Sequence, residues 1–320
     1  MSRAVGLLLG VVLDRALADP RRGHPVAGFG RVAAALERWT YADRRSAGAV
    51  HVLVLVGGAA ALGAVAPPRS TLATAAATWA VLGGTSLVRE GRGMAAELGT
   101  SGGPAADLAA ARRRLPSLCG RDPAALDTDG LARAALESVA ENTSDATVAP
   151  LLWGAVAGVP GLLAYRAVNT LDAMIGYRDD RYTRFGWAAA RLDDAANLLP
   201  ARVAALLTVA CAPVVGGSPR AALAAWRADA AAHPSPNAGV VEAAAAGALG
   251  VRLGGETVYP HRVEQRPRLG VGRPPVPADL ERAVRLSTAV QAGAALGSAA
   301  LAVAVAHPGL HAVLRRGRRR

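Results

Sequence analysis

Five stretches of the 320-residue chain contain no Asp, Glu, Lys or Arg, and this feature constrains the fold more than any other. They cover residues 46–68, 70–88, 146–165, 203–219 and 286–314. A helix needs about 20 predominantly apolar residues to cross the hydrocarbon core of a bilayer. Alanine supplies much of the 52% hydrophobic content and is a weak membrane signal, and 203–219 is marginal in length. We therefore expect an all-α, polytopic integral membrane protein in preference to a soluble Ala-rich bundle.

The apolar stretch 146–165 contains helix-breaking residues, which favour a broken or re-entrant segment over a straight span. These residues are Pro150, Gly154, Gly158, Pro160 and Gly161. If 146–165 and 203–219 both cross fully, the polar stretch 166–202 lies on the opposite side from 89–145 and 220–285. Every long polar segment carries Arg, so the positive-inside rule does not decide the topology.

Between the apolar stretches we expect charged helical loops, and no strand alternation is sustained. The whole chain, 1–320, is expected to form a single membrane-embedded domain. It should end with a membrane helix over about 286–308 and an Arg-rich tail, 315–320, at the cytoplasmic surface.

The basic residues exclude several kinds of chemistry, because all 36 of them are Arg and the net charge is +12. A chain without Lys has neither a Walker A loop nor a Schiff-base lysine. Phosphate and carboxylate groups must be held by Arg, backbone amides or a metal ion, and the planar guanidinium suits such oxyanions. No RNA-binding motif accompanies the basic charge, so we expect no nucleic-acid partner. Cys119 and Cys211 form no metal or disulfide pattern.

Two groups of polar residues flank the stretch 146–165. Glu137 and Glu141 share a helix face, which Asp145 continues if the helix persists. A divalent cation or Arg partners would offset the repulsion between these carboxylates. The alternative interpretation is an ordinary solvated acidic face. Downstream, three polar residues recur every third position, namely Arg166, Asn169 and Asp172. Polar residues at membrane depth tend to be functional, although a snorkelling Arg with polar neighbours gives the same pattern.

The densest polar cluster comprises Arg191, Asp193, Asp194, Asn197 and Arg202. Adjacent carboxylates and an amide oxygen are ligands suited to Mg²⁺, and the flanking Arg residues suit phosphate. Phosphoryl chemistry needs this pairing of a metal ion with Arg. An ion-paired helix is the alternative interpretation.

Further downstream, two motifs flank Glu242, namely His233-Pro-Ser-Pro-Asn237-Ala-Gly239 and Gly247-Ala-Leu-Gly-Val-Arg-Leu-Gly254-Gly255. Such sequences free the backbone for tight turns and contacts with oxyanions, although a plain loop has the same composition.

The order of these motifs closely resembles the signature of the CobD/CbiB family. The resemblance is carried by Tyr165-Arg-Ala-Val-Asn-Thr-Leu-Asp172-Ala-Met-Ile-Gly-Tyr177, Tyr182, Phe185-Gly-Trp187, Ala190-Arg-Leu-Asp-Asp194-Ala-Ala-Asn197, Pro200-Ala-Arg202, Glu141-Asn-Thr-Ser-Asp145, Pro234-Ser-Pro-Asn237-Ala-Gly239, Glu242-Ala243, Gly247 to Gly255, Asp14, Asp19-Pro20, His24-Pro25 and Arg31. It runs from about residue 5 to 270. Ser144 departs from the Val that the family pattern leads us to expect, and 256–266 also differs.

The resemblance implies synthesis of adenosylcobinamide or its phosphate in cobalamin biosynthesis. In that reaction ATP drives amide formation between (R)-1-amino-2-propanol, or its O-phosphate, and the ring D propionate of adenosylcobyric acid. The enzyme is then an acid–amine ligase, a multi-pass protein of the cytoplasmic (inner) cell membrane in contact with membrane lipid. Its oligomeric state stays open.

The resemblance and the clusters together give a set of candidate residues. We expect Asp193, Asp194 and Asn197 to hold Mg²⁺. Glu141 or Asp145 is the candidate general base. The remaining catalytic candidates are Arg166, Asn169, Asp172 and Arg191, and the substrate- or phosphate-binding candidates are His24, Arg31, Arg202, Asn237, Glu242, Gly254 and Gly255.

Other classes of membrane protein compete with this interpretation. A lipid phosphotransferase would carry an acidic motif with Asp-Gly and Ala-Arg spacing on one membrane helix, which this sequence lacks. An organic-anion transporter would show two related halves with ionisable residues in mid-span. An AmpE-like membrane signalling protein is a further alternative, which the extended resemblance over 165–202 disfavours.

Overall fold

The computed structural model describes residues 1–20, 22–67, 69–99, 106–177, 179–259 and 262–306. The chain is predominantly helical, which confirms the predicted class. Its α-helices are α1 (Ser2–Leu17), α2 (Pro25–Thr40), α3 (Arg45–Val65), α4 (Thr71–Val81), α5 (Gly84–Glu97), α6 (Leu108–Arg114), α7 (Thr128–Thr143), α8 (Ala149–Ile175), α9 (Tyr182–Phe185), α10 (Trp187–Cys211), α11 (Pro219–Asp229), α12 (Ala238–Leu249) and α13 (Pro277–Ala306).

A two-stranded antiparallel hairpin, which the sequence did not predict, accompanies the helices. Its strands are β1 (Leu253–Tyr259) and β2 (Arg262–Leu269). Glu256 pairs with Gln265 and Thr257 with Glu264, so polar residues face each other on both sides of the hairpin. The strands therefore lack the apolar alternation by which a sequence reveals a half-buried strand.

Five helical stretches among the described residues are long and apolar enough to cross a membrane. They are Arg45–Val65, Thr71–Glu97, Thr128–Ile175, Trp187–Val215 and Pro277–Ala306. These stretches agree with the predicted multi-pass membrane protein. The final helix begins at Pro277, nine residues before the predicted start, and the predicted Arg-rich tail lies outside the described residues.

Two compact units make up the chain. Unit 1 comprises Met1–Gly83, Ala149–Ala196 and the described residues from Ala294 onward, and unit 2 comprises Gly84–Val148 and Asn197–Gly293. The prediction of a single family domain concerns the extent of the resemblance and stays a prediction.

In unit 1, helices α3 and α4 pack against α8, and α1 packs against α4. Two glycines of α1 allow the close approach of α4. A Cβ atom on Gly6 would lie 2.6 Å from the Cβ of Thr74, and one on Gly10 would lie 2.3 Å from the Cβ of Thr78. A larger residue at either position would push α1 away from α4, because interiors are packed too densely to absorb the added atoms.

Helix α8 is kinked at Gly158, which has φ 68° and ψ −148°, so the break predicted in 146–165 is confirmed. Pro160 follows the kink and has no N–H for the carbonyl of Val156. Arg3 replaces that donor, because its Nη1 donates to the carbonyl oxygens of Ala155 and Val156, both at 3.0 Å. Whether the segment is re-entrant stays a prediction.

In unit 2, helix α12 is almost completely buried and packs against α11 and α7. The hairpin also contacts α11 and α12. A π-helical turn, Ser144–Val148, follows α7. These elements bring side chains from widely separated parts of the sequence around α7 and α12.

Candidate active site

In unit 1, the second half of α8 and the first half of α10 present a connected row of polar side chains. Arg166 Nη1 donates to Asn169 Oδ1 at 3.3 Å, and Asn169 Nδ2 donates to Asp193 Oδ1 at 3.4 Å. All three side chains are half-buried. The structure therefore brings together two groups of candidates that are 24 residues apart in sequence, and Asn169 links the guanidinium group to the carboxylate.

The two adjacent carboxylates of α10 have different partners. Asp193 accepts a hydrogen bond from Nδ2 of Asn169, whereas Oδ2 of Asp194 lies 3.4 Å from Nη1 of Arg191. The Arg191 side chain is 62% exposed, so this ion pair is accessible to a ligand from solvent. A substrate phosphate could therefore reach Arg191 without displacing buried structure.

The pair Asp193 and Asp194 fits one common mode of Mg²⁺ binding. Mg²⁺ usually keeps several waters and uses one or two carboxylates together with substrate phosphates. The described residues contain no group of three or more His, Cys, Asp or Glu side chains that could hold a metal ion, so these two carboxylates would need ligands of another kind. Asn197, the third predicted ligand, follows one turn later on α10, belongs to unit 2 and is 2% exposed.

Asp172 lies over the C-terminal turn of α8, where Gly176 leaves space for its carboxylate. A Cβ atom on Gly176 would lie 2.0 Å from Oδ1 of Asp172. The amide of Gly176 also donates to the carbonyl oxygen of Asp172 at 2.7 Å. The side chain at position 172 therefore keeps its place only while position 176 is glycine.

We expect the substitution Gly176→Ala to displace the Asp172 carboxylate and to lower turnover by roughly tenfold or more, because misplacing a positioning group by about 1 Å is costly. Turnover in membrane preparations is the measurement. Gly57→Ala is the matched control, since a Cβ atom on this exposed glycine of α3 meets nothing within 4 Å. Equal turnover of Gly176→Ala and Gly57→Ala would show that the position of Asp172 is unimportant.

The two N-terminal candidates lie at and on α2. His24 is the N-cap of this helix, because its Nδ1 accepts from the amide of Val26 at 3.1 Å and its Nε2 lies 3.1 Å from Oδ1 of Asp19. Arg31 is exposed on the same helix. His24 thus has a structural role that the sequence did not predict, and its predicted role in substrate binding stays a prediction.

An apolar cavity of about 470 Å³ lies among α2, α3, α4 and α8 of unit 1. Its lining includes Phe29, Leu36, Leu55 and Leu163, and Arg166 is the charged residue on its wall. Binding pockets for small molecules are commonly of this size and combine an apolar lining with a few polar groups. The cavity places Arg166 in contact with both the polar row and an apolar space.

In unit 2, Arg202 and Asn237 form a direct contact. Arg202 Nη1 donates to Oδ1 of Asn237 at 2.8 Å and to the carbonyl oxygen of Leu198 at 3.0 Å. Asn237 is 8% exposed. Two candidates for phosphate binding are thus brought together, although part of the hydrogen-bonding capacity of Arg202 serves the protein itself.

Glu141 and Glu242 belong to a larger set of charged residues in unit 2, called here the charge cluster: Arg121, Glu137, Glu141, Glu242 and Arg266. Glu137 is buried and forms an ion pair with Arg121, which is also buried. Burial, followed by the nearby carboxylates of Glu137 and Glu141, raises the pKa of Glu242 well above its ordinary value. Glu242 is therefore neutral over part of the range in which other carboxyl groups are charged.

The two glycines predicted to bind phosphate shape the start of the hairpin. Gly254 has φ +77° and Gly255 φ +91°, and a Cβ atom on Gly254 would lie 1.9 Å from the carbonyl oxygen of Pro267. The amide of Gly254 donates to Oε1 of Glu137 at 2.7 Å, and its carbonyl accepts from Arg133 at 2.6 Å. The Gly254 amide is thus already bonded, and the predicted role of both glycines in phosphate binding stays a prediction.

Asp145 lies half-buried in the π-helical turn Ser144–Val148. Such turns occur frequently at functional sites. Ser144 is 1% exposed, which fits a position where the family pattern has Val. The role of Asp145 as general base stays a prediction.

Comparison with known proteins gives the family. The family model described as "CobD/Cbib protein" matches residues 7–287. The chain belongs to the CobD/CbiB family. A cobalamin biosynthesis protein CobD of Mycobacterium tuberculosis is 65% identical over 300 residues, covering 92% of this chain and 94% of its own length. A cobalamin biosynthesis protein CobD of Rhodobacter capsulatus is 41% identical over 316 residues, covering 92% of this chain and 96% of its own length. No solved structure matches the chain.

Sequence reasoning missed two side chains of this CobD/CbiB member that lie at the charge cluster, Arg121 and Arg266, and it named His233 only as the first residue of a motif. Arg121 and Arg266 interact electrostatically with Glu242, and His233 interacts with Glu137 and Arg266. Glu137 was noticed as a neighbour of Glu141 but was not selected. Arg121 stands alone before Asp122-Pro123, so its sequence context does not predict a functional role. Arg266 lies in the segment that departs from the CobD/CbiB pattern.

Proposed function

We propose that the chain catalyses ATP-dependent amide formation between the ring D propionate of adenosylcobyric acid and (R)-1-amino-2-propanol or its O-phosphate. Membership in the CobD/CbiB family supports a role in cobalamin biosynthesis. The observation that carries the proposed chemistry is the polar row of α8 and α10, which joins Arg166 to Asp193 through Asn169. The five apolar helical stretches support a place in the cytoplasmic (inner) membrane.

A carboxylate does not accept an amine at neutral pH unless it is activated. MgATP supplies the phosphoryl group that turns the propionate into an acylating agent. Asp193 and Asp194 would hold the metal ion, with Asn197 as the third predicted ligand, and Arg166 and Arg191 would bind phosphate or propionate oxygens. Guanidinium groups and a divalent cation stabilise the charge that develops during phosphoryl transfer.

The attacking amine must lose a proton before it can form the amide. Glu141 is the proposed general base, because it is half-buried beside two other carboxyl groups and has its own acceptor oxygens. Asp145 is the alternative base one turn later. Arg202 and Asn237, in mutual contact, are proposed to bind the phosphate of a phosphorylated amine.

The mass of the product tests this proposal. Protein in detergent or nanodiscs is supplied with adenosylcobyric acid, MgATP and either (R)-1-amino-2-propanol or its O-phosphate. We expect a product heavier by one amine less one water, formed only with ATP, and the amine that reacts identifies the substrate. Absence of any amide product with both amines would contradict the proposed ligation.

A further inference from the structure

We infer that the charge cluster of unit 2 is a binding site for a small organic ammonium ion that also carries an oxygen acceptor, as an amino alcohol or its phosphate ester does. The cluster lies between α7, α12, the loop before α7 and strand β2. His233, just before α12, faces it. None of these residues belongs to the polar row of unit 1.

The cluster contains more carboxyl groups than guanidinium groups. Three glutamates are set against two arginines, and one of the glutamates is fully occupied: Glu137 accepts from Arg121 with Oε2 and from the amide of Gly254 with Oε1. The surplus negative charge therefore falls on Glu141 and Glu242. A buried surplus carboxylate is unfavourable, and a proton or a bound cation relieves it.

Two buried donors on residues near Glu137 make no hydrogen bond with any described residue. Arg121 is 6% exposed, and its Nη1 makes no hydrogen bond with any described residue, although its Nη2 is bonded to Glu137. His233 is 8% exposed, and its Nε2 likewise has no partner in the described part of the chain. Buried donors are rarely left unsatisfied, because the lost hydration is not replaced.

The ring of His233 is oriented as a donor. Its Nδ1 lies 3.0 Å from the amide nitrogen of Ser235, which can only donate, and 3.3 Å from the carbonyl oxygen of Ser235. The shorter contact favours the neutral ring that carries its proton on Nε2. Burial lowers the pKa of His233 and keeps the ring neutral. The glycine at position 239 makes room for this ring, since a Cβ atom there would lie 2.4 Å from Cβ of His233.

The ligand must therefore combine two kinds of group. An ammonium group satisfies the carboxylates of Glu141 and Glu242, and the oxygen on the neighbouring carbon, as a hydroxyl or an ester oxygen, satisfies Arg121 Nη1 and His233 Nε2. A bare divalent metal ion is a poorer fit, because the two unsatisfied groups, Arg121 Nη1 and His233 Nε2, are donors and a metal ion offers them no acceptor. An organic ammonium group tolerates longer distances to the carboxylates than a metal ion does.

The identification of this ligand with the amine substrate rests on the proposed function. It assigns the amine to unit 2, whereas the phosphoryl chemistry is assigned to the Asp193 and Asp194 carboxylates of unit 1. The assignment of the site itself rests only on the cluster and its two unsatisfied donors.

Isothermal titration of the full-length protein in detergent, without corrinoid or ATP, tests the inference. The probes are (R)-1-amino-2-propanol, its O-phosphate, propylamine and propane-1,2-diol. We expect one of the two amino alcohol probes to bind most tightly, propylamine more weakly and the diol not measurably, because the diol lacks the ammonium group. Binding of the diol equal to that of both amino alcohol probes would overturn the inference.

The variant Glu242→Gln removes a carboxylate and keeps the shape of its neutral form. We expect it to raise the Kd of the amino alcohol by about tenfold or more, because hydrogen bonds to charged groups are the strong ones. Glu281→Gln, at an exposed acid of α13, is the control and should leave the Kd unchanged. An unchanged Kd in folded Glu242→Gln would overturn the inference. If that variant does not fold, the probe series on the wild-type protein decides.

Failure of this inference is distinguishable from failure of the proposed function. Product formation together with an unchanged Kd in Glu242→Gln would refute the inference and leave the ligation standing. Amine binding that depends on Glu242, without any amide product, would refute the ligation and leave the site standing.

Discussion

Replacing Asp194 by Asn is expected to abolish amide formation, with a loss of at least about a hundredfold in turnover. Asn keeps the shape of the side chain but removes the charge that attracts Mg²⁺. It also removes the charged partner of Arg191, which lies 3.4 Å from Oδ2 of Asp194. Turnover should be measured in membrane preparations supplied with adenosylcobyric acid, MgATP and amine.

The location of Asp194 makes this variant informative. Its side chain is 33% exposed and its ion pair is largely solvated, so loss of the pair should change stability by less than about 1 kcal/mol. The matched control is Asp43→Asn, because Asp43 is 59% exposed and lies 3.8 Å from Arg184 in a similar surface pair. Near-normal turnover of Asp194→Asn would remove Asp194 from the proposed metal site.

A different loss is expected for Glu137→Gln, which should destabilise the protein by about 3–5 kcal/mol and lower its Tm by roughly 5–10 °C. The side chains of Arg121 and Glu137 are only 6% and 3% exposed. Neutralising Glu137 removes the carboxylate that is bonded directly to the buried Arg121 guanidinium, while Gln still accepts the hydrogen bond from the amide of Gly254. Thermal unfolding of the protein in detergent is the measurement.

The double variant Arg121→Met with Glu137→Gln separates charge from packing. Removing both charges should recover much of the lost Tm, because the cost in the single variant comes from a buried guanidinium that has lost its directly bonded carboxylate. The exposed acid Glu281 again offers a control, and Glu281→Gln should leave the Tm nearly unchanged. A double variant as unstable as Glu137→Gln would show that packing, not charge, is responsible.

The membrane-spanning stretches were predictable because their signal is local. A helix in hydrocarbon must satisfy its backbone internally and carry apolar side chains over about 20 residues, so composition alone reveals it. The kink in α8 was predictable for the same reason, since Gly158 and Pro160 act on their own backbone. The hairpin was missed because its strands pair polar residues across both faces.

The residues of the candidate sites also divide into those that the sequence predicted and those that only the structure identified. The residues of the polar row were found from their spacing and from the family resemblance, and the structure then connected Asn169 to Asp193. Arg121 was missed and His233 was given no role of its own, because the charged residues near them lie more than 15 positions away along the chain. Only long-range packing assigns such residues to a site.

The sequence by itself determined the helical membrane class, the absence of lysine chemistry and the family, because these depend on local composition and on the order of motifs. The tertiary structure alone decided that Glu137 is occupied by Arg121 and Gly254, and that Arg121 and His233 each keep a buried donor without a partner among the described residues. The physical reason is that burial, charge balance and unsatisfied hydrogen bonds are properties of groups brought together in space. A sequence gives the charge of each side chain, and folding decides which of those charges must share a site shielded from water.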